Sequence, residues 1–241
     1  MFKWIRVDIK LLEDVKYFIM YFKIRYFTIV IALWLLILFL GIFISSISYI
    51  FLHNLFISAL TIQLTYLVVS CIFAKYILDM DIRVLGFRLS IPNSKYILHV
   101  FILSISSSIV LAYLGYLIGD GKFIEPIPGL TRDLIIYSLI AFIFAPIGEE
   151  TLFRGFLIGA LVLGGIDMET SIFTSAILFS LIHLIPFKTA PPTQLTIVLV
   201  TAFILSIIAG IYRVKANSIV PSIVTHICFN LGGMLIYLIL T

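Results

Sequence analysis

The chain has 241 residues, of which 62% are hydrophobic and only 12% are charged, and its formal net charge is +4. Soluble domains carry about a quarter charged residues, so this composition excludes an ordinary soluble protein and predicts an integral membrane protein. Because lipid forces backbone polar groups to pair within each segment, we expect an all-α polytopic helix bundle. No nucleic-acid partner is expected; the expected partner is the lipid bilayer.

Residues 1–25 predict an amphipathic helix that lies in the membrane interface. Apolar side chains recur there at spacings of three and four, as they do on one face of a helix. Charged side chains, among them Lys3, Arg6 and Lys10, occupy the other faces. Such a helix binds the headgroup region with its apolar side down. A solvated helix packed on the protein's own loops is the alternative.

The rest of the chain, residues 26–241, predicts a single integral membrane domain. Its apolar stretches are long enough for helices to cross a ~30 Å hydrocarbon core. Seven spans are predicted, at about 27–51, 55–77, 96–118, 133–164, 170–187, 195–212 and 218–240. The fourth is too long for a straight span, and Pro146 predicts a kink within it.

The distribution of Lys and Arg predicts the orientation of the chain in the cell membrane. With the N-terminus inside, most of the 16 Lys and Arg residues fall in the N-terminal segment and the cytoplasmic loops. Only Lys122, Arg132 and Lys188 fall in the outer loops, and Arg154 lies inside the fourth span. The positive-inside rule therefore predicts a multi-pass protein with a cytoplasmic N-terminus and an external C-terminus.

Three polar clusters interrupt the apolar second half of the chain. The first is EETLFR, residues 149–154. On a helix, Glu150 and Arg154 are four residues apart with the acid N-terminal, an order that favours an ion pair. Glu149 is rotated by about 100° and faces elsewhere. The spacing therefore indicates one paired carboxylate and one that is free to face a cavity.

The second and third clusters each place an imidazole one helical turn from a partner. Phe179 and His183 share a face in FSLIH, and His226 and Asn230 share a face in HICFN. A single intramembrane His or Asn more often bonds to a neighbouring helix. Taken together, however, a carboxylate and an imidazole can activate a water, and a second His with an Asn can donate to an oxyanion. This set of groups supplies what amide hydrolysis needs, an activated water and donors to the oxyanion.

These strings resemble, in order and spacing, the three motifs of the CAAX protease and bacteriocin-processing family. The motifs are EExxxR, FxxxH and Hxxx followed by Asn or a similar residue, and all three match within a catalytic half at about 130–240. The resemblance implies an intramembrane endopeptidase in which Glu149 is the general base, His183 assists it, and His226 with Asn230 forms the oxyanion hole. It implies supporting roles for Glu150, Arg154 and Phe179.

The cofactor and the substrate stay open at the level of sequence. A metal-free site is preferred because no HExxH motif is present, yet Glu149, His183 and His226 could hold zinc in a metalloprotease. The expected substrates are membrane-associated proteins or peptides, of the lipidated CAAX type or of the bacteriocin and leader type. The alternative function is a non-enzymatic immunity factor or a proton-coupled carrier, although a carrier has no need of all three clusters.

Overall fold

The computed structural model describes residues 9–88, 94–122 and 134–240. Within these ranges every regular element is helical, which confirms the predicted all-α class. We number the main helices α1 (Ile9–Leu52), α2 (Leu55–Tyr76), α3 (Ser94–Ile118), α4 (residues 134–163), α5 (Met168–Ile182), α6 (Pro192–Ala216) and α7 (Val220–Leu240). Helices α1 and α2, α3 and α7, and α5 and α6 pack as pairs, and α4 lies against α2 and α7.

Six of the described helices are long and apolar enough to cross a membrane, so the chain is a multi-pass membrane protein. Helix α5 is shorter, because its 15 residues span ~22 Å, less than a ~30 Å hydrocarbon core. The sequence predicts a full fifth span over 170–187, but the helix ends at Ile182. Pro186 explains the difference, since it has no N–H to donate to the carbonyl of Ile182.

The N-terminal segment and the first span form one continuous helix. Helix α1 contains 44 residues, a length of ~66 Å and more than twice the thickness of a hydrocarbon core. No Gly or Pro occurs in it before Gly41, so nothing in the sequence stops the helix at the predicted boundary near residue 25. Residues 1–8 of the predicted interfacial helix lie outside the described residues. The placement of this segment in the interface stays a prediction.

Hydrogen bonds group the connecting segments at two ends of the bundle. At one end, Ile219 N donates to Gly86 O at 2.9 Å; at the other, Gln194 Nε2 donates to Gly119 O at 3.4 Å. We call the first the basic end, which contains residues 23–25, 77–88, 164–167 and 213–219. We call the second the loop end, which contains residues 53–54, 119–122 and 183–191.

The segment after α2, residues 77–88, packs into the basic end, and we call it the connector. Its Leu85 side chain is fully buried, and Met80 is nearly so. The carbonyl oxygen of Val84 lies so close to Gly159 of α4 that a Cβ there would come within 3.0 Å of it. Because glycine has no side chain, the backbone of the connector can approach α4 this closely.

Helix α4 widens on both sides of the charged cluster. Turns of π-helix cover Ile140–Phe144 and Thr151–Leu157, and the regular α-helix Ala145–Glu150 lies between them. Pro146 lacks an N–H, and its ring would collide with the carbonyl four residues earlier; the first π turn removes this conflict. The predicted kink at Pro146 therefore takes the form of a wide turn in a helix that continues without a break.

Candidate active site

A cavity of about 750 Å³ lies inside the bundle, within the usual size range of ligand sites. Four residues of the predicted site border it, namely Glu149, His183, His226 and Asn230. They come from α4, from the end of α5 and from α7, so the tertiary fold brings all three polar clusters to one wall. Helices α1, α2, α3 and α6 supply the remaining walls.

The two neighbouring carboxylates face different surroundings. Glu150 is fully buried, and its Oε1 accepts a hydrogen bond from Arg154 Nη1 at 2.9 Å. The side chain of Glu149 keeps 16% of its surface exposed and borders the cavity. This geometry agrees with the predicted arrangement of one paired and one cavity-facing carboxylate, while the chemical roles of the two residues stay predictions.

His226 links the buried ion pair to the cavity. Its Nδ1 lies 2.9 Å from Glu150 Oε1. Because an ionised carboxylate can only accept, Nδ1 is the donor in this bond. The other ring nitrogen, Nε2, then lies 4.0 Å from Glu149 Oε2. The imidazole thus touches one carboxylate and faces the other.

Phe179 positions the polar groups around it. Its ring is fully buried, and the guanidinium carbon of Arg154 lies 4.4 Å from the ring centre, a cation–π contact. The rings of His183 and His226 lie 5.0 and 5.8 Å from the same ring, measured between centroids. One aromatic side chain therefore packs against members of all three clusters, which explains its place in the FxxxH pattern.

His183 follows the last residue of α5 and lies where that helix ends inside the bundle. Its Nδ1 lies 2.8 Å from the carbonyl oxygen of Phe179. A carbonyl only accepts, so Nδ1 carries the proton and Nε2 is left for a group in the cavity. The short α5 thus places an imidazole at the cavity wall instead of on the side of a full span.

Asn230 contacts a second helix as well as the cavity. Its Nδ2 donates to the carbonyl oxygen of Ala141 at 2.6 Å, in the first π turn of α4. An amide nitrogen carries two hydrogens, so one remains for another acceptor. The sequence indicated that Asn230 shares a face with His226 but not that it bonds to α4.

Gln63 of α2 is a site residue that the sequence analysis missed. Its Nε2 donates to Glu149 Oε1 at 3.1 Å, and the residue is almost completely buried. Helix α2 approaches α4 at Gly148, where a Cβ would lie 2.6 Å from the backbone oxygen of Gln63. An amide inside an apolar span was the available signal, because polar groups at membrane depth are costly.

Zinc stays an open alternative for the three residues that the resemblance offers as ligands, Glu149, His183 and His226. Within the described ranges, no group of three His, Cys, Asp or Glu residues is placed to hold a metal ion. His226 uses Nδ1 to bond Glu150, and its Nε2 is 4.0 Å from Glu149. Two ligand atoms of one tetrahedral zinc lie about 3.3 Å apart.

Comparison with known proteins identifies the part of the chain that contains the three polar clusters. Residues 131–232 match the model of a family described as type II CAAX prenyl endopeptidase, Rce1-like. All three polar clusters fall inside this range, whereas Gln63 lies outside it. No curated protein and no solved structure matches the chain.

Proposed function

From the premise that residues 131–232 belong to the Rce1-like type II CAAX prenyl endopeptidases, we propose that the protein hydrolyses peptide bonds of membrane-associated proteins or peptides inside the bilayer. The observation that carries this proposal is the cavity wall, where Glu149 stands beside His183, His226 and Asn230. A water in this cavity meets a carboxylate that can take its proton and an imidazole that can orient it.

The hydrolytic step begins with that water between Glu149 and His183. Glu149 takes a proton as the hydroxide attacks the carbonyl carbon of the scissile bond, and it returns the proton to the leaving amine. His183 offers Nε2 to the water, since its Nδ1 is held by the carbonyl of Phe179. Gln63 supports this step by holding one oxygen of Glu149 in place, so that the other faces the water.

The oxyanion that forms is accommodated by His226 and Asn230. Since Nδ1 of His226 donates to Glu150, Nε2 can donate to an oxyanion only when the ring carries two protons. Two carboxylates are placed to pair with such a ring: Glu150 Oε1 lies 2.9 Å from Nδ1, and Glu149 Oε2 lies 4.0 Å from Nε2. Asn230 contributes the amide hydrogen that Ala141 does not use.

We propose a metal-free reaction of the glutamate type. Purified active protein should then contain well under one zinc per chain, and strong chelators should not inhibit it lastingly. Elemental analysis and activity after metal removal test this. Stoichiometric zinc, with activity lost on its removal and regained on its return, would make Glu149, His183 and His226 ligands instead.

A carrier or an immunity factor that uses the same buried charges is the competing function. A carrier needs a carboxylate and at most one imidazole to move a proton, whereas this cavity is bordered by Glu149, two imidazoles and the amide of Asn230. This set of side chains favours the enzyme over the carrier. A proton flux through the purified protein in vesicles, lost in Glu149→Gln, would favour the carrier.

Mass spectrometry of protein termini tests the enzyme directly. Membranes that contain the wild-type protein should yield new peptide termini, and membranes with the Glu149→Gln variant should lack them. The Lys215→Ala variant, altered at an exposed residue of the basic end, is the matched control and should yield the wild-type termini. Identical termini in all three membranes would contradict the proposal. The sequences at the cleaved bonds would distinguish CAAX-type substrates from leader-type ones.

A further inference from the structure

Among the described residues, the exposed part of the cavity lining lies at one end of the bundle. Among its lining residues, Ser46, Lys122 and Ile185 are exposed, and all three lie at or near the loop end. From Glu149 the walls continue toward that end through Ser58 of α2 and Gly233 of α7. Of the described residues at the basic end, none lines the cavity.

The opposite side of the site is filled by protein. The connector seals it, with Leu85 fully buried and Val84 O lying close against Gly159. Arg213 fastens the connector by donating from Nη2 to Val84 O at 2.6 Å. Between the connector and Glu149 lie the fully buried Glu150–Arg154 pair and apolar side chains of α4. A peptide cannot reach Glu149 through this packing.

The charges at the two ends indicate which side of the membrane each end faces. Among the described residues, the basic end and the adjacent helix termini carry Lys23, Arg25, Lys75, Arg83, Arg88, Lys95, Arg213 and Lys215. The loop end carries Lys122 and Lys188 in the same ranges. Lys and Arg accumulate in cytoplasmic loops, so the basic end faces the cytoplasm and the cavity opens on the other side.

We infer that the scissile peptide enters from the non-cytoplasmic side of the membrane. The inference rests on the proposed function and names its substrate class: a peptide anchored in the bilayer whose cleavage site lies in the outer half of the membrane or just beyond it. A leader or membrane-anchored peptide with this topology can reach Glu149. A C-terminal tail on the cytoplasmic side cannot reach Glu149, because the connector lies in its way.

Thiol accessibility tests the direction of access without any need for catalysis. Single cysteines are introduced after replacing the two native ones, Cys71→Ser and Cys228→Ala. Lys122→Cys marks the mouth, and Gly233→Cys marks the wall, at a position where a Cβ has no neighbour within 4 Å. Lys215→Cys, exposed at the basic end, is the control. Each variant is treated with a membrane-impermeant maleimide in right-side-out and in inverted vesicles.

We expect Lys122→Cys and Gly233→Cys to react in right-side-out vesicles and Lys215→Cys to react in inverted ones. Reaction of Lys122→Cys only in inverted vesicles would overturn the inference. So would reaction of Gly233→Cys from the inverted side alone or from neither side, because the cavity would then open elsewhere or be closed.

The cleaved termini separate a failure of this inference from a failure of the proposed function. Bonds cut by the wild type and spared by Glu149→Gln should lie in segments on the non-cytoplasmic side. Cleaved bonds in cytoplasmic tails would contradict the inferred side of access but would support the proposed protease activity. If the cysteines are labelled as expected but the wild type and Glu149→Gln yield the same termini, the protease activity would be contradicted and the side of access supported.

Discussion

The two sides of α4 at residues 149 and 150 show how one helix can carry a cavity-facing and a fully buried carboxylate in adjacent positions. On the sealed side, Glu150 is fully buried and bonds Arg154 and His226. On the open side, Glu149 borders the cavity, accepts a hydrogen bond from Gln63 and lies 4.0 Å from His226 Nε2. Arg154 compensates the charge of the buried Glu150. The helix can therefore carry a second carboxylate, Glu149, that faces the cavity.

The largest expected effect is on the open side. Glu149→Gln should lower kcat by ~10²–10⁴, because an amide cannot take a proton from water. The thermal midpoint in detergent should stay near that of the wild type, since the glutamine keeps the shape of the side chain and its amide oxygen can still accept the bond from Gln63. Peptide cleavage and thermal unfolding, measured on the same preparation, check both parts. Full activity in Glu149→Gln would contradict its role as the base.

Breaking the Glu150–Arg154 ion pair on the sealed side should lower the stability of the protein. Arg154→Ala leaves Glu150 buried with one partner fewer, which costs about 3–5 kcal/mol in comparable buried pairs. Unfolding in a detergent and denaturant series measures the change. The double variant Glu150→Gln with Arg154→Met, which removes both charges, should recover part of the loss. A fully stable Arg154→Ala variant would show that the pair is not a support.

The third effect concerns the oxyanion site. Asn230→Asp replaces a donor with a negative charge beside the developing oxyanion, so kcat should fall by ~10²–10³ with little change in KM. It should be at least as damaging as Asn230→Ala. Steady-state kinetics on both variants, with thermal unfolding as the control for the lost bond to Ala141, gives the test. Near-normal turnover in Asn230→Asp would make Asn230 a contact between helices only.

A smaller effect on kcat is expected for Gln63, the residue of α2 that donates a hydrogen bond to Glu149. Gln63→Leu removes the bond to Glu149 at similar volume and should lower kcat by ~10–100-fold at nearly constant KM, the worth of about 1.5–3 kcal/mol for a hydrogen bond to a charge. Thr65→Val is the matched control, since among the described residues that hydroxyl donates to Thr61 O within α2 and not to a residue of the site. Equal kcat values for the two variants would remove Gln63 from the site.

The smallest effect lies at the surface of the connector, where Asp81 pairs with Arg83. The Arg83 side chain and backbone hold the pKa of the Asp81 carboxyl at about 2, below its ordinary value. A lowered pKa adds stability above the ordinary pKa, and that stability is lost as the pH falls toward 2. Asp81→Asn should therefore lower the thermal midpoint slightly at pH 7 and not at pH 2. A larger loss at pH 2 than at pH 7 would contradict this sign.

Local pattern was enough to predict much of this protein. Apolar stretch length predicted the membrane spans, because the thickness of the bilayer sets how many apolar residues a helix needs. The spacing of Glu150 and Arg154 predicted their ion pair, because residues four apart meet on a helix whatever surrounds it. The motif resemblance named the four cavity residues before their positions in space were known.

Contacts between distant segments depended on the tertiary structure. The bond from Gln63 to Glu149 joins residues 86 positions apart, and the connector under Gly159 depends on how α2 and α4 pack. Hydropathy does not record such encounters, since it describes how each segment meets lipid and not which segments meet each other. The end at which the cavity opens follows from this packing, and so does the early end of α5 that leaves His183 at its wall.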